Sequence, residues 1–191
     1  MPASKDPSPQ PSSGISPDTS ADSSAGRDGR FAKPVDPDAG TKKRDMAGIT
    51  RQFIDALPHA KAIGLDVRDV GAGRAEFILP YREDLIGDPE TGVLHGGVVS
   101  TLLDTTCGAA VICHPESGGG TATLDLRIDY MRAATPGQVI VAKAECYHVT
   151  RSVAFVRAVA LDDDTDRPVA SATGAFTFKA KPRAEKQEGQ A

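Results

Sequence analysis

Leu94-His95-Gly96-Gly97-Val98-Val99-Ser100-Thr101-Leu102-Leu103-Asp104-Thr105-Thr106-Cys107-Gly108-Ala109-Ala110-Val111-Ile112-Cys113 is the stretch on which the reading of this chain turns. From Val98 to Cys113 it reads as a helix that is apolar on nearly every side and interrupted by a single carboxylate. A helix without a polar face is buried by the rest of the molecule. An ionised side chain buried without partners is very costly, so Asp104 must be paired or serve a purpose.

The segments on either side say what buries it. Leu65–Val70 and Arg74–Pro80 read as strands joined by Gly71-Ala72-Gly73, a hairpin turn. A turn-rich loop, Gly87-Asp88-Pro89-Glu90-Thr91-Gly92, leads into the helix. After Gly118-Gly119-Gly120 come four strand-like segments, Thr121–Arg132, Gln138–Val149, Ser152–Leu161 and Pro168–Lys179. In the first, Leu124, Leu126, Ile128 and Tyr130 alternate with Asp125, Arg127 and Asp129, the period of a sheet with one packed and one polar face. Two strands, a buried helix and four more strands predict an α+β fold in which an antiparallel sheet wraps a long central helix. At about 1.5 Å per residue the helix is about 24 Å long, which suits strands of this length.

The predicted folded unit is residues 46–179. Residues 1–45 hold seven prolines and eight serines with few large apolar side chains, the composition of a disordered tail, and 180–191 read as a flexible end. Ile49, Phe53, Ile54 and Leu57 recur at helical spacing up to Pro58 and predict a short amphipathic helix.

Among the 191 residues, 39% are hydrophobic and 25% charged, with a net charge of −4. That balance, with no basic stripe, argues against nucleic acid, and no apolar run is long enough for a membrane span. Cys107, Cys113 and Cys146 show neither CxxC spacing nor an even count, so no disulfide framework or metal cage is signalled. His59, His114 and His148 also lack ligand spacing, and no metal or other cofactor is expected. The N-terminus has no apolar signal core, so a cytoplasmic location is expected.

Two chemical resources remain. The first-turn N–H groups at Gly96 and Gly97 have no intrahelical acceptor, and glycine lets a ligand approach closely, which suits a carbonyl oxygen gaining negative charge. The same Gly-Gly pair also serves simply as a tight turn into the helix. Asp104 has the chemistry of a general base on water or of a nucleophile, or of a hydrogen-bonded structural residue. Eight residues of helix separate Gly96 from Asp104 by about 12 Å, too far for both to reach one carbonyl. A site using both needs the helix of a second copy running antiparallel alongside, so the functional reading predicts a homodimer.

Leu94-His95-Gly96-Gly97 followed by Asp104, then Thr123-Leu124-Asp125-Leu126-Arg127-Ile128-Asp129-Tyr130-Met131 and Pro136-Gly137, resembles the hotdog-fold acyl-CoA thioesterases of the PaaI type. The resemblance spans about residues 56–178. It implies a hotdog dimer, or dimer of dimers, that hydrolyses an acyl-coenzyme A with water and no metal. By position, Gly96 N–H would polarise the thioester carbonyl, Asp104 of the other subunit would activate water or attack, and His95 would support the oxyanion end. Thr123 falls where the family often has a hydroxyl that holds the attacking water, yet strict alternation places it in phase with Asp125 and Arg127. Gly97 would let substrate approach the helix start, and Val93, with Leu85 and Ile86, would line an apolar or aromatic acyl tail. Arg132 and Arg151 near strand ends are candidates for the coenzyme A phosphates. Where related sequences often carry an amide side chain before the histidine, this chain has Asp88, which when ionised donates no hydrogen bond. That departure motivates an alternative, a non-catalytic acyl-CoA-binding hotdog dimer. A weaker option is hydration of an enoyl group, for which the expected Asp and His pairing is not found.

Overall fold

A computed structural model describes residues 57–181. The amphipathic helix expected before Pro58 and both terminal segments lie outside the described residues, apart from Leu57, Ala180 and Lys181. Helix α1, Pro58–Ala62, begins instead at the proline, whose missing N–H costs nothing in a first helical turn. Strands β1 (Asp66–Gly71) and β2 (Arg74–Leu79) form the expected hairpin. The segment expected as a loop holds two short strands, β3 (Ile86–Asp88) and β4 (Val93–Leu94), paired with each other.

The central helix α2 runs Gly96–Ile112 and is followed by β5 (Thr123–Tyr130), β6 (Ile140–Val149), β7 (Val153–Leu161) and β8 (Ala170–Thr177). These four with β1 and β2 form one antiparallel sheet in the order β1-β2-β6-β7-β8-β5. The sheet packs on α2 mainly through β2, β6 and β7. Alternation along the central strands points Ala142, Ala144, Ala154, Ala158, Ala160, Ala170 and Ala172 inward, all buried. This carpet of small side chains lets the helix sit close to the sheet, where Leu102, Leu103 and Val111 fill the space together with Phe77, Leu79, Ile140 and Phe176. A fully buried leucine of this kind contributes about 2 kcal/mol to stability.

Strand β5 is an edge of the sheet and departs from the expected packed face. Leu124 is 58% exposed and Tyr130 50%, whereas Leu126 and Ile128 are partly buried against the core. Beyond β8, Ala180 bridges Ser117 and the Lys181 backbone N–H donates to the Glu116 carbonyl, two residues past the expected end of the folded unit.

Candidate active site

The start of α2 is fixed from both sides. His95 is its N-cap, with extended backbone angles (φ −61°, ψ 132°), and its Nδ1 accepts the Gly97 N–H at 2.9 Å. An Nδ1 that accepts leaves the proton of the neutral ring on the exposed Nε2. The His95 backbone N–H donates to the Leu85 carbonyl, and a Cβ on Gly87 would lie 2.7 Å from His95 Cα, so the β3–β4 unit presses directly on the capping residue. Gly87 must therefore remain without a side chain. A side chain at Gly97 would likewise stand 2.9 Å from His95 Nδ1. The Gly97 N–H, expected to face substrate, is already spent on the cap. The Gly96 N–H has no partner among the described residues and is the open donor of this helix end.

Asp104 sits two turns further along and is half-buried rather than enclosed. Its Oδ1 accepts the Thr123 hydroxyl at 2.7 Å, and its Oδ2 has no hydrogen-bond partner among the described residues. Strict alternation would have turned Thr123 away. The β5–β8 ladder pairs Thr123 with Phe176 but Asp125 with Ala175, so one extra residue is accommodated at Leu124. This β-bulge shifts the phase, aiming Thr123 at the helix and Leu124 at solvent, a re-aiming of the kind bulges provide beside active sites. One turn on from Asp104, burial and the nearby carboxylate push the Cys107 thiol up to about 12, which keeps it protonated and inert as a nucleophile.

Because β5 runs antiparallel to α2, its other end reaches the helix start. The Tyr130 hydroxyl donates to the Gly96 carbonyl at 2.7 Å and lies 2.6 Å from Ser100 Oγ. Alternation along β5 predicts Tyr130 on the packed face, and nothing in the sequence singles out Ser100. The only signal was that Tyr130 shares the phase of Leu126 and Ile128 at the far end of the strand from Thr123.

Other candidates fall elsewhere. Arg132 is not available to phosphates. Its Nη1 and Nη2 pair with both oxygens of Asp162, Nη1 also donates to the Ala133 carbonyl, and Nε and Nη2 donate to the Arg167 carbonyl. All five guanidinium N–H groups are consumed. Asp162 stands in an aspartate-rich turn, yet it is buried and also accepts from the backbone N–H groups of Thr135 and Asp164 and from the Thr135 hydroxyl. Above all the Arg132 hydrogen bond holds the Asp162 carboxyl far below the usual carboxylate range.

The Asp88 side chain bonds within its own turn, accepting the Glu90 N–H at 3.1 Å and the Thr91 hydroxyl at 2.6 Å. The Thr91 bond is the main cause lowering its pKa. Val93 is half-buried in β4, paired with Asp88 across the ladder, and Leu85 and Ile86 pack against the core beside it. Among the described residues no group of three or more His, Cys, Asp or Glu side chains is placed to hold a metal ion, and no helix is long and apolar enough to cross a membrane.

Known proteins resemble this arrangement over much of the chain. The Thioesterase superfamily model matches residues 91–169, which include His95, Asp104, Thr123 and Tyr130. A putative esterase of Halobacterium salinarum is 30% identical over 139 residues, 71% of this chain and 92% of that protein. The medium/long-chain acyl-CoA thioesterase YigI of Escherichia coli is 23% identical over 149 residues, 71% of this chain and 95% of its own. A Pseudomonas aeruginosa protein of known crystal structure shares 42% identity at a TM-score of 0.63, the match covering 69% of this chain and 98% of that one. The phenylacetic acid degradation protein PaaI of Thermus thermophilus, solved as a mutant, superposes at 0.56 with 27% identity, over 63% and 98% of the two chains. With its hotdog sheet wrapped on a central helix and its PaaI-like relatives, the chain belongs to the thioesterase superfamily of thioester hydrolases.

Proposed function

We propose that this protein hydrolyses the thioester of an acyl- or aryl-acyl-coenzyme A by water attack, in sites shared between two copies of the chain. The observation that carries the proposal is the half-satisfied Asp104 carboxylate. Thr123 orients one oxygen, and the other is left to accept a proton. The acyl-CoA substrate is supported by the resemblance to PaaI-type enzymes and by relatives named as acyl-CoA thioesterases.

The chemistry follows from the groups present. Asp104 takes a proton from water as the water oxygen bonds to the thioester carbon. The carbonyl oxygen becomes an oxyanion, which the Gly96 N–H and the positive end of α2 stabilise. Collapse restores the carbonyl and breaks the C–S bond, and the proton held by Asp104 passes to the departing thiolate. The products are a free acid and the coenzyme A thiol. The buried, protonated Cys107 takes no part.

One chain does not bring the two halves together, since about 12 Å of helix lies between them. The free edge of β5 suggests how two chains do. Paired antiparallel with its own copy, β5 would place the Tyr130 end of one strand beside the Thr123 end of the other, so that Gly96 of one protomer faces Asp104 of its partner. The exposed Leu124, Tyr130 and Met131 would then gain cover.

A thiol-release assay over short, medium, long and aryl acyl-CoAs tests the proposal. Hydrolysis of at least one class, lowered about 100-fold or more by Asp104→Asn, supports it. Acyl-CoA binding without release of thiol would favour the non-catalytic alternative, and an unaffected Asp104→Asn would remove the aspartate from the mechanism.

A further inference from the structure

We infer that Tyr130 is a positioning residue, one that aims the Gly96 N–H by clamping the peptide that follows it; the inference rests on the role proposed for Gly96 above. A Gly-Gly pair loses more conformational freedom on ordering than any other dipeptide, so an electrostatic site built on it needs restraint from outside. Here the Gly96–Gly97 peptide is held at both ends. Its carbonyl oxygen accepts from the Tyr130 hydroxyl at 2.7 Å and from Ser100 Oγ at 3.2 Å, and its N–H donates to His95 Nδ1 at 2.9 Å. The preceding peptide is fixed too, because the His95 carbonyl accepts the Val98 N–H at 2.9 Å. In a trans peptide the N–H points opposite the carbonyl, so the Val98 bond turns the Gly96 N–H outward, and the clamp on the following peptide keeps Gly96, which has no side chain to restrict it, from rotating out of that arrangement.

Burial within one chain does not account for the tyrosine. The side chain stays 50% exposed on an edge strand, and its ring stands only 3.6 Å from where a Gly96 Cβ would be. Hydroxyl and ring together cap the side of Gly96 that has no side chain of its own. Tyr130 also links the two halves of the proposed machinery, since β5 carries Thr123 at one end and Tyr130 at the other. A partner strand that shifts β5 would therefore move the oxyanion donor and the carboxylate's hydrogen-bond donor together.

Tyr130→Phe keeps the ring and removes the hydroxyl. Steady-state kinetics with the best acyl-CoA should show kcat lowered about 10-fold, the rate equivalent of one neutral hydrogen bond, with KM within about two-fold of the parent. Amide hydrogen exchange at Gly97 should become faster in the same variant, because its peptide has lost the shorter of the two side-chain hydrogen bonds to its carbonyl. Ser100→Ala, which removes the longer contact to the Gly96 carbonyl, should show the same pattern at about two-fold. Unchanged Gly97 exchange overturns the inference even if kcat falls, and so does a raised KM with kcat intact, which would make Tyr130 a substrate contact. Should the parent protein hydrolyse no acyl-CoA, the proposed function fails, and the Gly97 exchange comparison still decides whether Tyr130 holds the peptide.

Discussion

Asp104 and Asp162 are both aspartates set against the core, and their hydrogen bonding is opposite. Asp162 is saturated. Arg132 takes both of its oxygens, Thr135 and the Asp164 backbone fill the remaining positions, and its carboxyl is held ionised. Asp104 is half-buried with a single donor on one oxygen. A buried charge whose lone pairs are all occupied has nothing left to offer a substrate and serves to fix loops. A charge held by one partner at one oxygen is oriented yet still able to take a proton. The same contrast separates Gly97, whose N–H is spent on His95, from Gly96, whose N–H is open.

The contrast breaks if the wrong aspartate carries activity. Asp104→Asn should lower kcat about 100-fold or more while thermal unfolding shifts by only a few degrees, because the variant keeps an oxygen for Thr123 to bond. Asp162→Ala should do the reverse. It leaves Arg132 without its counter-charge, and denaturant unfolding should show a loss of about 3 kcal/mol, with kcat per folded molecule unchanged.

Acid titration sharpens the point. The folded-state pKa of Asp162 lies below its ordinary value of 3.8, so its contribution is fully present above that pH and is lost as pH falls from there toward the folded value. The stability gap between parent and Asp162→Ala should therefore be constant near neutrality and shrink below about pH 4. A gap that widens on acidification would contradict the assignment. The smallest effect belongs to Asp88→Asn. Because Asp88 spends its oxygens on its own turn and stays exposed, kcat and KM should stay within about two-fold of the parent.

Most of the architecture was legible because burial imposes periodicity. The unrelieved apolar run marks α2 to within two residues, and apolar segments between turn-forming residues mark the six strands of the sheet. The β3–β4 pair was not legible, since strands of three and two residues flanking Asp88-Pro89-Glu90-Thr91-Gly92 carry the composition of a turn. Thr123 illustrates a deeper limit. Its contact with Asp104 depends on a bulge at Leu124, and a bulge is a property of two paired strands that one strand's alternation does not encode. Asp162 was obscured by its neighbours: in a run with Asp163, Asp164 and Asp166 it looks solvated, and only the return of the chain through Arg132 and Thr135 buries it. The hydrogen bonds of Arg132 are hidden for the same reason, its partner lying thirty residues away in sequence.

Mixing two inactive variants tests the shared site most directly. Gly96→Pro removes the open N–H at the first helical position, where proline is well tolerated and where the extended His95 backbone suits a following proline. Asp104→Asn removes the carboxylate. Each alone should be nearly inactive, with loss of the N–H costing about 100-fold or more. After unfolding and refolding together in equal amounts, half of the dimers carry one copy of each variant, and one of their two sites is then intact, so about a quarter of parental activity should return. A mixture no more active than its components would mean that each site draws both groups from one chain, and would contradict the account.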